Sequence, residues 1–266
     1  MREAYATLLY GSRADAAMET MLYSLRAVDT GRTIVVMTLD EVATIPRLKR
    51  RFAPLEEAPV SRLRGACNAS AFARARRISE DAALSVFSRF HTFNLTRYAR
   101  VLWLESDQLV LRSLESLWRL PFPARAAAAA TSVLTERCAA EYAGGGAGFR
   151  FAQARKYNTG VVLLRPSVAR FTALTAAMTQ TTYTCTDGSQ TLWNRVLARH
   201  TVCIHHTYNC IKHSGPRYPW LCLPENQSTP HVVHFAGAGK PWLSSSPRDA
   251  TVGTRAWRTM VARAPL

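Results

Sequence analysis

The stretch Tyr98-Ala-Arg-Val-Leu-Trp-Leu-Glu-Ser-Asp-Gln-Leu-Val-Leu111 decides how the rest of the chain is read. Val101, Leu102, Trp103 and Leu104 form a short apolar run of β-favouring residues flanked by charge, the pattern of a buried strand. The run stops at Glu105-Ser106-Asp107, and a second apolar run, Leu109 to Leu111, follows at once. Carboxylates two residues apart at a strand end point the same way, so both reach one ligand. In an open, mostly parallel α/β sheet, ligands sit beyond the carboxyl ends of the strands. Two hard oxygen donors there suit Mn²⁺ or Mg²⁺, and such a cation can in turn hold a diphosphate. An isolated acid-x-acid triplet is far more often a solvated strand exit, so the metal reading depends on partners elsewhere in the chain.

Working back from this stretch, Ser85 to Tyr98 reads as a helix with Phe87, Phe90, His91 and Leu95 on one face. Residues 55 to 80 are rich in proline and arginine and carry no clear period. The chain opens with an apolar strand from Glu3 to Leu9, a helix from Ala14 to Arg26, a buried strand from Thr33 to Thr38 and a basic helix from Pro46 to Phe52. Such a βαβ opening belongs to a nucleotide-binding half-domain with a right-handed crossover. It contains neither G-x-G-x-x-G nor G-x-x-x-x-G-K-S/T, so a dinucleotide or P-loop site is not supported.

Working forward, Leu114 to Trp118 is a short helical turn, and residues 124 to 150, rich in Ala and Gly, read as a loop or lid. Tyr157-Asn-Thr-Gly160 is read as a loop entering a buried strand, Val161 to Leu164. Phe171 to Met178 reads as helix, residues 186 to 194 as a turn opening another helix, and His231 to Phe235 as a last strand. No repeat or internal boundary interrupts the pattern. At 266 residues the expectation is one α/β domain, with residues 1–111, which hold the βαβ opening and the acid triplet, as a nucleotide- and metal-binding half and residues 112–266 as the second half.

Charge is the unusual feature: 34 basic against 18 acidic residues, a formal +16. Only Lys49, Lys156, Lys212 and Lys240 are lysines, so the excess is arginine. Arginine excess serves phosphate or nucleic-acid contact, or reflects a composition biased to Arg and Ala, as the tract Ala126 to Ala130 indicates. The arginines are scattered and no recognition motif accompanies them, which disfavours a nucleic-acid partner. The six cysteines show no zinc-type spacing and read as reduced and buried, although four lie within residues 185–222, where one bridge is open to them. No export signal precedes the first strand, and no apolar run approaches the roughly 20 residues of a membrane span. A cytoplasmic location is therefore expected, and the sequons at Asn68, Asn94 and Asn226 are read as chance.

Five segments, in order, resemble glycogenin-like members of glycosyltransferase family 8. ATLLYGSRADAAMETMLYSLR is similar to the family's first strand and helix, and FSRFHTFNLTRYARVLWLESDQLVLRSLESLW to its helix-strand-metal segment. YNTGVVLLRPS resembles its N-S/T-G strand, DGSQTLWN its D-Q-G-x-L-N helix start, and HVVHFAGAGKPW its H-F-x-G-x-x-K-P-W signature. Together they span residues 6 to 242. The resemblance implies a GT-A fold, a Rossmann-like domain with a mixed, mostly parallel sheet flanked by helices. It further implies a UDP-sugar donor, a divalent cation (Mn²⁺ or Mg²⁺) and retention of the anomeric configuration.

Carried over by position, the resemblance makes Glu105, Asp107 and His234 the metal ligands. Gly237 and Lys240 would face the diphosphate, Arg89 and Ser106 the donor, and Leu8 and Tyr10 the uridine. Asn158, Thr159, Gly160 and Gln190 would meet the sugar, and Asn158, Asp187, Ser189 and Gln190 would serve the chemistry. Three positions depart from the family. Glu105 stands where aspartate is usual, Ser189 replaces an acid that Asp187 could supply from two residues earlier, and Ala14 replaces a uridine-stacking aromatic. The implied activity is transfer of a hexose, glucose or galactose, to a glycan, protein or polyol acceptor, and a homodimer is compatible with it. The alternative is a homologue that binds nucleotide-sugar or glycan with weakened turnover. Read without the resemblance, His234 could as well be a core histidine, Arg89 a snorkelling surface arginine and Lys240 a solvated loop lysine.

Overall fold

A computed structural model of the 266-residue chain describes residues 2–10, 16–40, 43–65, 73, 85–121, 126–132, 156–180, 188–211, 230–236, 240–242 and 252–263. The N-terminal half winds as strand β1 (Glu3–Leu9), helix α1 (Ala16–Val28), β2 (Thr33–Thr38), α2 (Ile45–Arg51), β3 (Leu55–Pro59), a 3₁₀ segment (Val86–Asn94), β4 (Arg100–Leu104) and β5 (Gln108–Val110). There follow α3 (Glu115–Trp118), β6 (Ala128–Ser132), β7 (Tyr157–Leu164), α4 (Val168–Gln180), α5 (Ser189–Leu197), β8 (Thr201–Ile204), β9 (Cys210–Ile211), β10 (Val232–His234) and α6 (Val252–Arg263).

Seven strands form one sheet in the order β3-β2-β1-β4-β7-β6-β8. Every neighbouring pair is parallel except the two that β7 makes, with β4 and with β6. The sheet is therefore mixed and mostly parallel, as expected. Its strands are apolar on both faces because both faces are covered. Ala4, Ala6, Leu8, Val35, Met37, Val101, Trp103, Val162 and Leu164 face one cluster with Phe87, Phe90, Phe93, Leu174 and Trp193. The alternate residues, Tyr5, Leu9, Ile34, Val36, Leu102, Leu104, Val161 and Leu163, face the other with Met21, Leu22, Leu25 and Leu48. The period of two assigns each strand residue to one helical layer or the other.

The apolar run after the acids does not continue this sheet. β5 leaves it for a three-stranded sheet of order β5-β10-β9, antiparallel between β5 and β10 and parallel between β10 and β9. That small sheet rests on α1 and α6 through Ala17, Leu109, Val233, Phe235 and Trp257. The Val110 amide donates to Ser24 Oγ at 3.0 Å.

Several sequence expectations shift. Tyr157 to Gly160 is not a loop: β7 already begins at Tyr157, because its backbone pairs with β6 across Tyr157↔Ser132 and Asn158↔Thr131. Within residues 124 to 150, Ala128–Ser132 is a sheet strand, and residues 133–150 lie outside the described residues. The segment after Ser85 is 3₁₀ rather than α-helical, and β3, β8, β9 and α6 had no counterpart in the sequence reading. Cys203 and Cys210, both buried and both within the 185–222 stretch where a bridge was open, are disulfide-bonded, which corrects the reduced reading for these two. The other four cysteines lie outside the described residues, as do Ala14, Asn68 and Asn226. Among the described residues no helix is long and apolar enough to cross a membrane.

Candidate functional site

In the strand order, β1 and β4 are the neighbours from which the chain winds in opposite directions, and such a switch point opens a crevice beyond the strand ends. Tyr10 follows β1 and Glu105-Ser106-Asp107 follows β4, so both border that crevice. The acid triplet is also the turn by which the chain passes from the large sheet to the small one. β5 then pairs with β10 so that Gln108 faces His234, and the Phe235 amide donates to the Asp107 carbonyl at 3.0 Å. Backbone register thus sets a histidine from the far end of the chain beside the two carboxylates.

The donor atoms of Glu105, Asp107 and His234 all lie within 4.8 Å of one another. His234 Nε2 is 3.1 Å from Glu105 Oε2 and 3.3 Å from Asp107 Oδ1. Asp107 Oδ1 is buried and accepts no well-formed hydrogen bond. Two carboxylates and an imidazole that converge this closely are a donor set that fits a divalent cation.

Two cations frame the acids. Lys240 Nζ donates to Asp107 Oδ2, and to the Phe235 carbonyl at 2.6 Å. Arg89 Nη1 donates to Glu105 Oε1 at 2.7 Å, and Nη2 donates to the Thr159 carbonyl. The Arg89 guanidinium lies 4.6 Å over the Trp103 ring and is only 6% exposed, so it is a buried site residue and not a surface snorkel. Burial alone would raise Asp107, but the charges of His234 and Lys240 hold its carboxyl well below the usual carboxylate range. Glu105 is likewise lowered against its burial, by Arg89 and then by His234. Burial alone would lower His234, yet Asp107 and Glu105 push the imidazole up to about 9. A cation bound at Nε2 would take the place of that proton.

The opposite wall is made by β7 and α5. Gln190 Oε1 accepts from the Thr159 amide at 3.0 Å, and Asn194 accepts from the Tyr157 amide at 2.6 Å while donating back to its carbonyl at 2.9 Å. These bonds clamp the helix start to the strand. Ser189 is the first residue of α5, 4% exposed, after Gly188 at φ 57°, a backbone that a residue with a Cβ rarely adopts. Asn158 Oδ1 accepts from the Gly160 amide at 2.9 Å and from Asn209 Nδ2 at 2.7 Å, and Asn209 Oδ1 is 2.9 Å from His234 Nδ1. Gly160 has to be glycine: a Cβ there would collide with Cε1 and Nδ1 of the His234 ring.

The structure therefore brings together Glu105, Ser106, Asp107, His234, Lys240, Arg89, Asn158, Thr159, Gly160 and, through Thr159, Gln190. Tyr10 is 39% exposed and close enough to Arg89, Glu105 and Asp107 to feel their charges. Leu8, by contrast, is 2% exposed and belongs to the core below. Gly237 and Asp187 lie outside the described residues. Sequence reasoning missed Asn194 and Asn209. Asn194 closes the DGSQTLWN segment, one helical turn after Gln190; Asn209 carries no spacing signal and is visible only through its partners.

The sequence matches the profile of Glycosyl transferase family 8 over residues 35–246. A search of curated proteins by sequence finds no match. Solved structures are similar over nearly the whole chain. One is the apo bifunctional glycosyltransferase WbbM, with TM-score 0.65 and 15% identity, covering 99% of this chain and 50% of that one. Another is the galactosyltransferase LgtC, in complex with donor and acceptor sugar analogs, with TM-score 0.57 and 16% identity, covering 99% and 96%. The apo glycosyltransferase GlyE of Streptococcus pneumoniae gives TM-score 0.60 and 16% identity, covering 98% and 62%. This chain thus spans about half the length of WbbM and less than two thirds of GlyE. These likenesses carry the fold, an α/β GT-A fold, and the profile carries the family. The chain belongs to glycosyl transferase family 8.

Proposed function

We propose that this glycosyltransferase is a divalent-metal-dependent, retaining hexosyltransferase that uses a UDP-sugar, UDP-glucose or UDP-galactose, with Glu105, Asp107 and His234 as metal ligands. The observation that carries this reading is the Glu105–Asp107–His234 cluster, whose donor atoms all lie within 4.8 Å of one another beside Lys240. Mn²⁺ is the favoured cation, since two carboxylates and an imidazole suit it better than the all-oxygen set Mg²⁺ prefers. Breaking a sugar–phosphate bond puts negative charge on the departing diphosphate and positive charge on the ring. When bound, the cation would supply Lewis-acid stabilisation of that leaving group. Lys240, ion-paired with Asp107, would add its charge to the stabilisation of the diphosphate. Asn158 commits its Oδ1 to Gly160 and Asn209 and so offers a ligand its Nδ2, while Arg89 and Gln190 hold Thr159 from two sides. Gly237 is proposed at the diphosphate, Ser106 and Tyr10 on the nucleotide side, and Asp187 with Ser189 at the sugar.

The test is a panel of UDP-sugars with Mn²⁺, scored for UDP release with and without glycan, protein or polyol acceptors, against a chelator control. UDP binding without release from any donor would favour the weakened homologue, for which the Arg89–Glu105 ion pair and Ser189 are the specific observations. Full turnover in excess chelator would overturn the metal assignment. The disulfide bonds at Cys203 and Cys210 favour an oxidising compartment over the cytoplasmic one expected from sequence.

A further inference from the structure

We infer that Asn209 is a positioning residue that fixes the His234 imidazole in its Nδ1–H tautomer and so aims the Nε2 lone pair at a cation held by Glu105 and Asp107, an inference that rests on the metal-site reading above. The assignment follows from a chain of hydrogen bonds with one unambiguous end. The Gly160 backbone amide can only donate, so the Asn158 atom 2.9 Å away is its oxygen. That same oxygen lies 2.7 Å from the Asn209 side chain, which must therefore present its NH₂ group there. The other end of the Asn209 amide is then the carbonyl, an acceptor only, 2.9 Å from His234 Nδ1. Nδ1 must carry hydrogen, and Nε2 is the nitrogen left for Glu105, Asp107 and a metal ion. A backbone amide of β7 thereby sets the tautomer of a histidine on β10 through two asparagines.

The surroundings hold Asn209 to this task. It is 3% exposed, its amide donates to the His206 carbonyl at 3.0 Å, and it immediately precedes β9, whose Ile211 pairs with His234. The next residue, Cys210, is disulfide-bonded. Asparagine answers a double demand that other residues meet only in part. Aspartate accepts from His234 but cannot donate to Asn158, leucine does neither, and a serine or threonine hydroxyl rotates and fixes no tautomer. Partners of this kind, which grip the far nitrogen of a metal-ligating histidine, set ring orientation and ligand basicity.

The test is direct Mn²⁺ titration of chelator-stripped protein, followed by the loss of the free-ion electron paramagnetic resonance signal, for the parent, Asn209→Leu and Asn209→Asp. Asn209→Leu is expected to weaken Mn²⁺ binding by about 10–100-fold, the range for an outer-sphere histidine partner, and Asn209→Asp to restore most of it. A merely structural role would lower the metal-free melting temperature of both variants without this split in affinity. Equal Mn²⁺ affinity in the parent and Asn209→Leu, or an aspartate as weak as the leucine, overturns the inference while leaving the metal site standing. A parent that binds no Mn²⁺ overturns the site and the inference together. Should Asn209→Leu fail to fold, the parent alone decides. Long-range ¹H–¹⁵N spectra of the Mg²⁺-saturated protein should show a protonated Nδ1 on His234, and a protonated Nε2 would refute the assignment.

Discussion

Along β1, β2 and β4 nearly every side chain is covered, and it is covered by hydrocarbon: Tyr5, Leu9, Val36, Leu102 and their neighbours pack on both faces of the large sheet. The three-stranded sheet differs in kind. Its strands are three, two and three residues long, and at their ends lie Asp107, paired with Lys240, and Asn209 and His234, bonded to each other. One sheet is held by area removed from water, which is non-directional and tolerates exchange of one apolar residue for another. The other is held by hydrogen bonds and register, which tolerate little, because a buried polar group stripped of its partner bears its full desolvation cost. The candidate site lies at the seam, in the single turn by which the chain leaves the first sheet for the second.

If that division is real, removing a ligand should abolish binding without melting the fold. Asp107→Ala should eliminate Mn²⁺-dependent UDP binding, an effect beyond the roughly 10–100-fold worth of an outer-sphere partner. His234→Ala should come close behind. Circular dichroism and thermal melting should show both variants folded. Unfolding of Asp107→Ala would mean that the seam carries the fold as well as the site.

Leu102→Ala makes the converse cut. Its side chain is fully buried in the layer under α1, and truncation there should cost about 2–5 kcal/mol in denaturant unfolding. Mn²⁺ affinity of the folded fraction should stay within a factor of about 2–3, since distant sites couple weakly. Gly160→Ala should do both things at once, because β7 belongs to the large sheet while the new methyl would displace a ring of the small one. Overpacking of this sort costs about 1–3 kcal/mol, and here the displaced group is His234, so metal affinity should fall along with stability. A Gly160→Ala protein with undisturbed Mn²⁺ binding would break the link between the sheets.

The large sheet is not wholly apolar in its logic, and pH tests the exception. Asp29, after α1, accepts from the Gly31 and Arg32 amides at 3.0 and 3.1 Å, from Arg32 Nη1 at 2.7 Å and from the Tyr5 hydroxyl at 2.8 Å. Burial alone would raise its carboxyl, but Arg32, Tyr5 and Gly31 hold it below the usual range. A lowered folded pKa gives stability that is present above the ordinary carboxylate value and lost as pH falls through the lowered one. Asp29→Asn should therefore be about 1–3 kcal/mol less stable than the parent at pH 7. The gap should close below about pH 4, where the parent's carboxylate also begins to protonate in the unfolded chain. A gap independent of pH would assign the loss to packing.

The same contrast explains what could be read from the sequence. The large sheet wrote itself into apolar runs: Thr33 to Thr38 matches β2 residue for residue, and Glu3 to Leu9 matches β1. The short strands could not be read, since two or three residues show no period, and β9 exists only because β10 and its neighbours are already in place. Leu55–Pro59, with its two glutamates and terminal proline, hid an edge strand that only its parallel pairing to β2 creates. In the site, Asp107, His234 and Lys240 were legible through motif order, and the structure brings them together. Asn209 was not, because nothing in its neighbourhood in sequence says that a histidine and a second asparagine will arrive on either side of it. Gly160 has a use that its motif does not signal, since the space a Cβ would need is filled by the His234 ring.

The smallest expected effect is the sharpest test of the seam. Glu105 is longer by one methylene than the aspartate usual in the family, and that length has a visible use. Its Oε1 accepts from Arg89 on the large-sheet side at 2.7 Å, and its Oε2 lies 3.1 Å from His234 Nε2 on the small-sheet side. Glu105→Asp would draw the carboxylate back by about 1.5 Å, the length of one carbon–carbon bond, so it could keep one contact but not both. If the metal position is shaped for the longer chain, the variant should bind Mn²⁺ a few-fold less tightly, because a charge-assisted bond worth about 1.5–3 kcal/mol to Arg89 competes for the shortened carboxylate. Arg89→Gln in the same background should then return part of the affinity, since the competing pull on the carboxylate is gone. Unchanged or improved Mn²⁺ binding in Glu105→Asp alone would show instead that Glu105 meets the cation through water, and that Arg89 is its principal partner.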